Sequence, residues 1–229
     1  IAYEHLVVDE AQDLSPLAVK VLCDAVQPGG PITLAGDTAQ RLYLDGGFDD
    51  WEQLIADIGL RARILPPLSI TYRSTRQVMA LARHVLGPLL KDTEFGDARD
   101  GGSVELMAFE ETGQAVAFLA DALKSLRNRE RKASIALVSR TPSVADLYYT
   151  ALKRAEVPNL RRIRSQEFDF SPGIDITDVF QIKGLEYDYV VVLEPTMAHY
   201  PDDIEARHLL HVAATRAAHQ LWLITSSTP

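Results

Sequence analysis

The 229 residues, 47% hydrophobic and 24% charged, describe a chain that folds, with room for one large or two modest domains, and exclude an intrinsically disordered one. A formal charge of -9 and a pI near 5.1 weigh against holding nucleic acid by bulk electrostatics, so any phosphate-binding surface must be local. A single cysteine excludes a disulfide within the chain, and no apolar run approaches a membrane span or resembles a signal peptide, which makes a cytoplasmic protein without a membrane partner the default expectation.

The chain opens at Ile1, not Met, and runs directly into His5-Leu6-Val7-Val8-Asp9-Glu10, an apolar strand ending in acids. This reads as a fragment entered midway through a fold. Pro16 to Ala25 is predicted helical, with Cys23 among Val19, Val21, Leu22 and Val26 as core filler. Ile32 to Ala35 is a second strand. Pro66-Pro67 removes two backbone donors in succession and marks a boundary between residues 1–67 and 68–229. Phe95 to Ser103 and Ser165 to Gly173 read as polar loops. Between them, Val116, Leu119, Ala120, Leu123 and Leu126 recur at threes and fours, predicting a helix over Gln114 to Leu126. Lys124, Arg127, Arg129, Arg131 and Lys132 then form a cationic, solvent-facing helix end. Ile135 to Val138 and Val190 to Leu193 are further strands, and a second basic cluster, Arg161, Arg162 and Arg164, has no assigned role. Alternating strands and helices predict an α/β fold with parallel sheets flanked by helices.

Two places have chemical potential. Asp9 and Glu10 stand where a parallel strand ends, the edge at which open α/β sheets place ligands. Adjacent acids there can divide labour, one holding hydrated magnesium and the next activating water. The same residues also suit an acidic helix start, with Asp13 or Ser15 as cap and Pro16 at the first position. The second strand ends in Gly36-Asp37-Thr38-Ala39-Gln40-Arg41-Leu42-Tyr43, where Gly36 permits a tight turn, Gln40 can reach a phosphate oxygen or water, and Tyr43 offers a stacking face or a half-buried core ring.

DEAQD, followed by a strand and GDTAQRLY, resembles motifs II and III of the UvrD/Rep-like superfamily I helicases. The later segments agree in order: Thr71-Tyr72-Arg73-Ser74-Thr75 resembles motif IV, Lys183-Gly184-Leu185-Glu186-Tyr187-Asp188 motif V, and Val212-Ala213-Ala214-Thr215-Arg216-Ala217 motif VI. Ser134 to Arg140 and the helix after it resemble the family's intervening strand and helix. The resemblance implies RecA-like parallel sheets, with a partial first RecA-like domain over 1–67 and a second over 68–229.

The resemblance also implies site residues and ligands. Asp9 would hold Mg2+ and Glu10 would activate water, while Gln40 would sense the terminal phosphate of ATP and couple it to a strand-binding surface including Tyr43. Tyr72 would stack on adenine, Arg73 would reach the phosphates, Glu186 would accept from the ribose hydroxyls, Gly184 would be among the nucleotide-binding residues, and Arg216 would be an arginine finger. Asp178 and Phe180, where the family commonly has threonine and histidine, fall at positions that face DNA or couple it to ATP. ATP would lie between the two domains, and the partner would be single-stranded or partly duplex DNA, tracked with 3′ to 5′ polarity.

The chain departs from the family in three ways. It contains no Gly-Lys-Ser or Gly-Lys-Thr loop, so the phosphate loop is expected in an upstream part of the same protein, and this chain alone is expected to be inactive. Motifs V and VI carry substitutions, including His211 where tyrosine is frequent; with His208 three residues earlier it reads as structural rather than as a metal pair. The interval between motifs IV and V is too short for the large inserted subdomain of the UvrD and Rep relatives. Two alternatives follow: a non-catalytic helicase-like module that binds nucleic acid or protein, and an ATPase that remodels a protein complex.

Overall fold

The computed structural model describes residues 2–40, 47–48, 50–66, 74–89, 98–169 and 171–226. The chain divides into two compact units, Ile1–Leu68 and Ser69–Pro229.

In the first unit, β1 (Leu6–Val8) pairs in parallel with β2 (Ile32–Leu34), Val7 opposite Thr33. Parallel neighbours need a crossover, and α1 (Pro16–Asp24) supplies it. Ser15, not Asp13, caps α1, its hydroxyl accepting from Ala18 N at 3.2 Å, and Pro16 takes the first position, where no amide donor is needed. A second helix, α2 (Trp51–Asp57), is capped by Asp50, which accepts from the amides of Glu52 and Gln53. Val19, Cys23, Phe48, Leu54 and Ile58 form the core of this unit. Cys23 is buried as expected, whereas Val21 is 62% exposed because it projects from the side of α1 opposite Val19.

The second unit begins with α3 (Arg76–Leu86), capped by Thr75, and continues through β3 (Glu105–Phe109), α4 (Thr112–Arg129), β4 (Ile135–Ser139), α5 (Pro142–Arg154), β5 (Leu160–Arg162), β6 (Ile174–Asp178), β7 (Tyr187–Leu193), α6 (Ile204–Thr215) and β8 (Ala217–Ser226). Its strands form a six-stranded sheet in the order β3-β8-β7-β4-β6-β5, every neighbouring pair parallel. The expected α/β architecture of parallel strands flanked by helices is therefore observed.

Side-chain alternation distributes the sheet between two cores. Ile135, Leu137, Ile174, Ile176, Val191 and Ile224 pack with Leu119 and Leu123 of α4 and Tyr148 and Leu152 of α5. The intervening residues, Ala136, Val138, Val190, Val192 and Leu221, are equally buried. They turn to the other face, where α6 packs on β7 and β8 and α3 lies against α6. A strand buried on both faces reads as a continuous apolar run, which is why β4 and β7 are legible in the sequence.

The second basic cluster is internally neutralised. Arg161 donates to Asp175 at 2.7 Å, and Arg162 and Arg164 converge on Asp146 of α5 at 2.7 and 2.8 Å. The donation from Arg164, with Arg162 beside it, holds the Asp146 carboxyl below its ordinary range. At the end of α4, Arg127 donates to Ala133 O at 3.0 Å and closes the turn into β4, while Arg129, Arg131 and Lys132 remain exposed. Among the described residues, no helix is long and apolar enough to cross a membrane.

Leu137 lies in the central strand with no exposed surface. Leu137→Ala is expected to destabilise the second unit by about 2–5 kcal/mol, the range for a core leucine that leaves a cavity. Urea denaturation followed by circular dichroism measures it.

Candidate functional site

In the first unit, parallel pairing brings both candidate strand ends to one edge. The ladder continues beyond the strands: Ala35 N donates to Val8 O at 2.8 Å and Ala11 N to Ala35 O at 2.9 Å, so the two turns leave the sheet side by side. Asp9 is exposed, and its carboxylate accepts from Glu10 N at 2.9 Å. Glu10 adopts a left-handed backbone, φ 53°, uncommon for a residue with a side chain and typical of positions over-determined by their surroundings. From the second turn, Gln40 Nε2 donates to Asp37 Oδ2 at 2.9 Å.

Gln12 joins the two turns. Fully buried, it donates from Nε2 to Glu10 Oε2 at 2.5 Å and accepts at Oε1 from Asp37 N at 3.0 Å. The expectations for this edge named Asp9, Glu10 and Gln40 but not Gln12, whose only sequence signal is its place two residues after Glu10. Tyr43 lies outside the described residues, as do Tyr72 and Arg73 of the second unit.

In the second unit, Gly184, Glu186 and Arg216 gather where β7 and β8 begin. Gly184 takes a left-handed φ of 75°, and Glu186 is exposed. Arg216 is only 1% exposed. Its guanidinium donates to Val212 O at 3.1 Å, Leu185 O at 3.3 Å and Thr215 Oγ1 at 3.2 Å. Tyr187 N donates to Arg216 O at 3.0 Å, so contacts to Arg216 flank Glu186 on both sides. The motifs that resemble V and VI are therefore joined through the backbone.

Asp178, the last residue of β6, and Phe180, two residues beyond it, stand at the opposite edge of the sheet. Asp178 is buried, and its Oδ1 accepts from Phe180 N at 3.2 Å. Burial pushes its carboxyl above the ordinary range, against the lowering pull of the Phe180 amide. On the neighbouring strand, Arg140 follows Ser139, donates to His199 O at 2.5 Å and lies 6.0 Å from the Tyr200 ring centre. The Tyr200 hydroxyl is buried without a hydrogen-bond partner among the described residues. Neither residue carries a sequence signal of function; Arg140 stands in the sequence only as the polar residue closing an apolar strand.

The remaining histidine question resolves locally. His211 is buried and donates from Nδ1 to Ala82 O at 3.1 Å, tying α6 to α3. Among the described residues, no group of three or more His, Cys, Asp or Glu is gathered for a metal. Magnesium does not require one, since it is commonly held through one or two carboxylates with substrate phosphates and water. The exposed Asp9 carboxylate at a strand end fits that pattern.

Residues 173–224, which span the Glu186 and Arg216 locus, match the family described as the UvrD-like helicase C-terminal domain. That segment is similar to the UvrD-like family. Over 179 residues the chain is 26% identical to the ATP-dependent DNA helicase HMI1, mitochondrial, of Saccharomyces cerevisiae, covering 72% of this chain and 25% of that protein. The chain thus spans a quarter of that relative's length. The crystal structure of the C-terminal domain of a possible DNA helicase from Lactobacillus plantarum WCFS1 covers 69% of this chain and 89% of its own, with a TM-score of 0.56 at 23% identity, a likeness of fold.

The raised pKa of Asp178 has a definite sign. In the folded second unit its charged form is disfavoured, so its contribution to stability is greatest below the unfolded carboxylate pKa and is lost as pH rises through the folded value. Asp178→Asn is therefore expected to raise the melting temperature at pH 7, with the gain vanishing below about pH 4. A melting series across that range checks both the sign and the window.

Proposed function

We propose that this chain is the C-terminal motor portion of an ATP- and magnesium-dependent DNA helicase or translocase that moves along single-stranded DNA with 3′ to 5′ polarity. The observation that carries the proposal is the shared edge of the first unit, where Asp9 and Glu10 stand beside the turn bearing Asp37 and Gln40. A hydrolytic nucleotide site needs a metal-holding carboxylate, a water-activating carboxylate and a phosphate sensor within reach of one another. Three such groups on two hydrogen-bonded strand ends supply them.

In this reading Asp9 holds Mg2+, which would neutralise phosphate charge when bound. Glu10 accepts the proton of the attacking water, and Gln40 hydrogen-bonds the terminal phosphate. Glu186, exposed at the start of β7, accepts from the ribose hydroxyls, with Gly184 allowing the turn to approach the nucleotide. Arg216 serves as the arginine finger, and its guanidinium must leave the carbonyls of Val212 and Leu185 to do so. Tyr72 and Arg73 complete the adenine and phosphate contacts, and Tyr43 contributes to the strand surface. An upstream part of the same protein supplies the phosphate loop. Single-stranded or partly duplex DNA runs over the edge that carries Asp178 and Phe180, where Arg140 at the end of β4 gives that edge a cation.

The test is ATP turnover by the full-length protein, with and without single-stranded DNA. Turnover is expected to rise with DNA, and Glu10→Gln is expected to lower kcat by about 10²–10⁴ while the protein still binds ATP. Absence of turnover in the wild type under both conditions would replace the motor with a non-catalytic helicase-like binding module.

A further inference from the structure

We propose that Gln12 is a positioning residue whose buried carboxamide clamps the Glu10 carboxylate to the Asp37–Gln40 turn, so that the water-activating group and the phosphate sensor are set by one bridge. The proposal rests on the nucleotide-hydrolysis reading of this edge and adds a residue to it.

Both ends of the side chain are committed. A carboxamide has one accepting oxygen and one donating nitrogen, and here the assignment is forced by chemistry: Asp37 N can only donate, and a carboxylate accepts. Oε1 therefore faces Asp37 N at 3.0 Å and Nε2 faces Glu10 Oε2 at 2.5 Å. With no exposed surface at Gln12, water does not compete for either bond. The chain around it is shaped to admit the bridge. A Cβ on Gly36 would sit 2.2 Å from Gln12 Oε1 and 3.1 Å from Ala11 N, so glycine at 36 is a condition of the amide lying where it does. Glu10 holds its left-handed backbone immediately before the turn Ala11–Asp13 that delivers Gln12 inward. The connection then continues through Asp37 Oδ2 to Gln40 Nε2 at 2.9 Å.

Length and chemistry make glutamine hard to replace. Asparagine is one methylene too short to span both partners. Glutamate keeps the acceptor for Asp37 N but loses the donor and sets a second carboxylate against Glu10. Methionine keeps the approximate volume and loses both bonds. Gln12→Glu therefore isolates the bond to Glu10, and Gln12→Met removes the whole clamp. Because a small displacement of a reacting group can cost about 10²-fold in rate, the clamp should be read in kcat rather than in binding.

The experiment uses the full-length protein and measures DNA-stimulated ATP turnover, melting temperature and amide hydrogen exchange at Asp37. Both variants are expected to lower kcat by about tenfold or more with KM for ATP within about threefold, the signature of an interaction used beyond ground-state binding. Gln12→Met alone is expected to lose protection at Asp37. The double variant Gln12→Glu with Gln40→Ala is expected to fall no further than the worse single change, as members of one unit do. If Gln12→Glu does not fold, Gln12→Met and Gly36→Ala, which displaces the same amide from the other side, are read on the same scale. A kcat within about twofold of wild type in the folded variants overturns the proposal, as does full additivity with Gln40→Ala. Should the wild type hydrolyse no ATP, the motor reading fails by itself; Asp37 exchange still decides the clamp, and unchanged protection in Gln12→Met overturns it.

Discussion

Parallel strand pairing is the constraint on which the rest depends. Each strand of the second unit runs in the same direction as its neighbours, so the chain must return across a face of the sheet after every strand, and both faces become covered. Starts and ends of strands are thereby sorted to opposite edges. Glu186 and Arg216 fall at the starts of β7 and β8, while Asp178, Phe180 and Arg140 fall at or just beyond the ends of β6 and β4. In the first unit the same rule sets the ends of β1 and β2 side by side, and the chemistry collects there because the backbone has already done so.

Charge is managed locally in a chain of net charge -9. Arg161 is held by Asp175, which also accepts from the Tyr187 hydroxyl at 2.9 Å, and Gly173 leaves the room that this guanidinium occupies. A carboxylate is buried too: Glu194 accepts from the Tyr148 hydroxyl at 2.5 Å, Ser226 N at 2.9 Å and Ser226 Oγ at 2.7 Å. Those bonds join α5 to the ends of β7 and β8. Buried charge in this unit is consistently accompanied by donors or acceptors that offset its desolvation.

Much of the architecture could be read from residue order because its signals are local. The apolar run at 135–138 and the spacing of Leu119, Leu123 and Leu126 depend only on near neighbours, and Ser15-Pro16 marks a helix start within two positions. Strand order is a long-range property, and β5, with two arginines in three residues, carries no apolar pattern because its polar groups are satisfied by Asp175 and Asp146. The motif residues were visible as types in sequence, but their state was not. Nothing local predicts that Arg216 is buried against backbone carbonyls, or that Gln12 rather than Asp13 turns inward between two strand ends. Such facts belong to contacts between segments, and a pattern along the chain does not encode them directly.

The burial of Arg216 complicates genetic dissection of this locus. Truncating the side chain would strip a donor from Leu185 O and one of the two donors from Val212 O, which keeps the Thr215 hydroxyl at 3.1 Å, and an acceptor left unsatisfied in the interior costs about 1–3 kcal/mol. A null allele at this position therefore conflates a lost chemical group with a loosened junction between α6 and the loop before β7. Complementation alone would assign too much to catalysis, and abundance of the folded protein has to be scored beside phenotype before any allele here is interpreted.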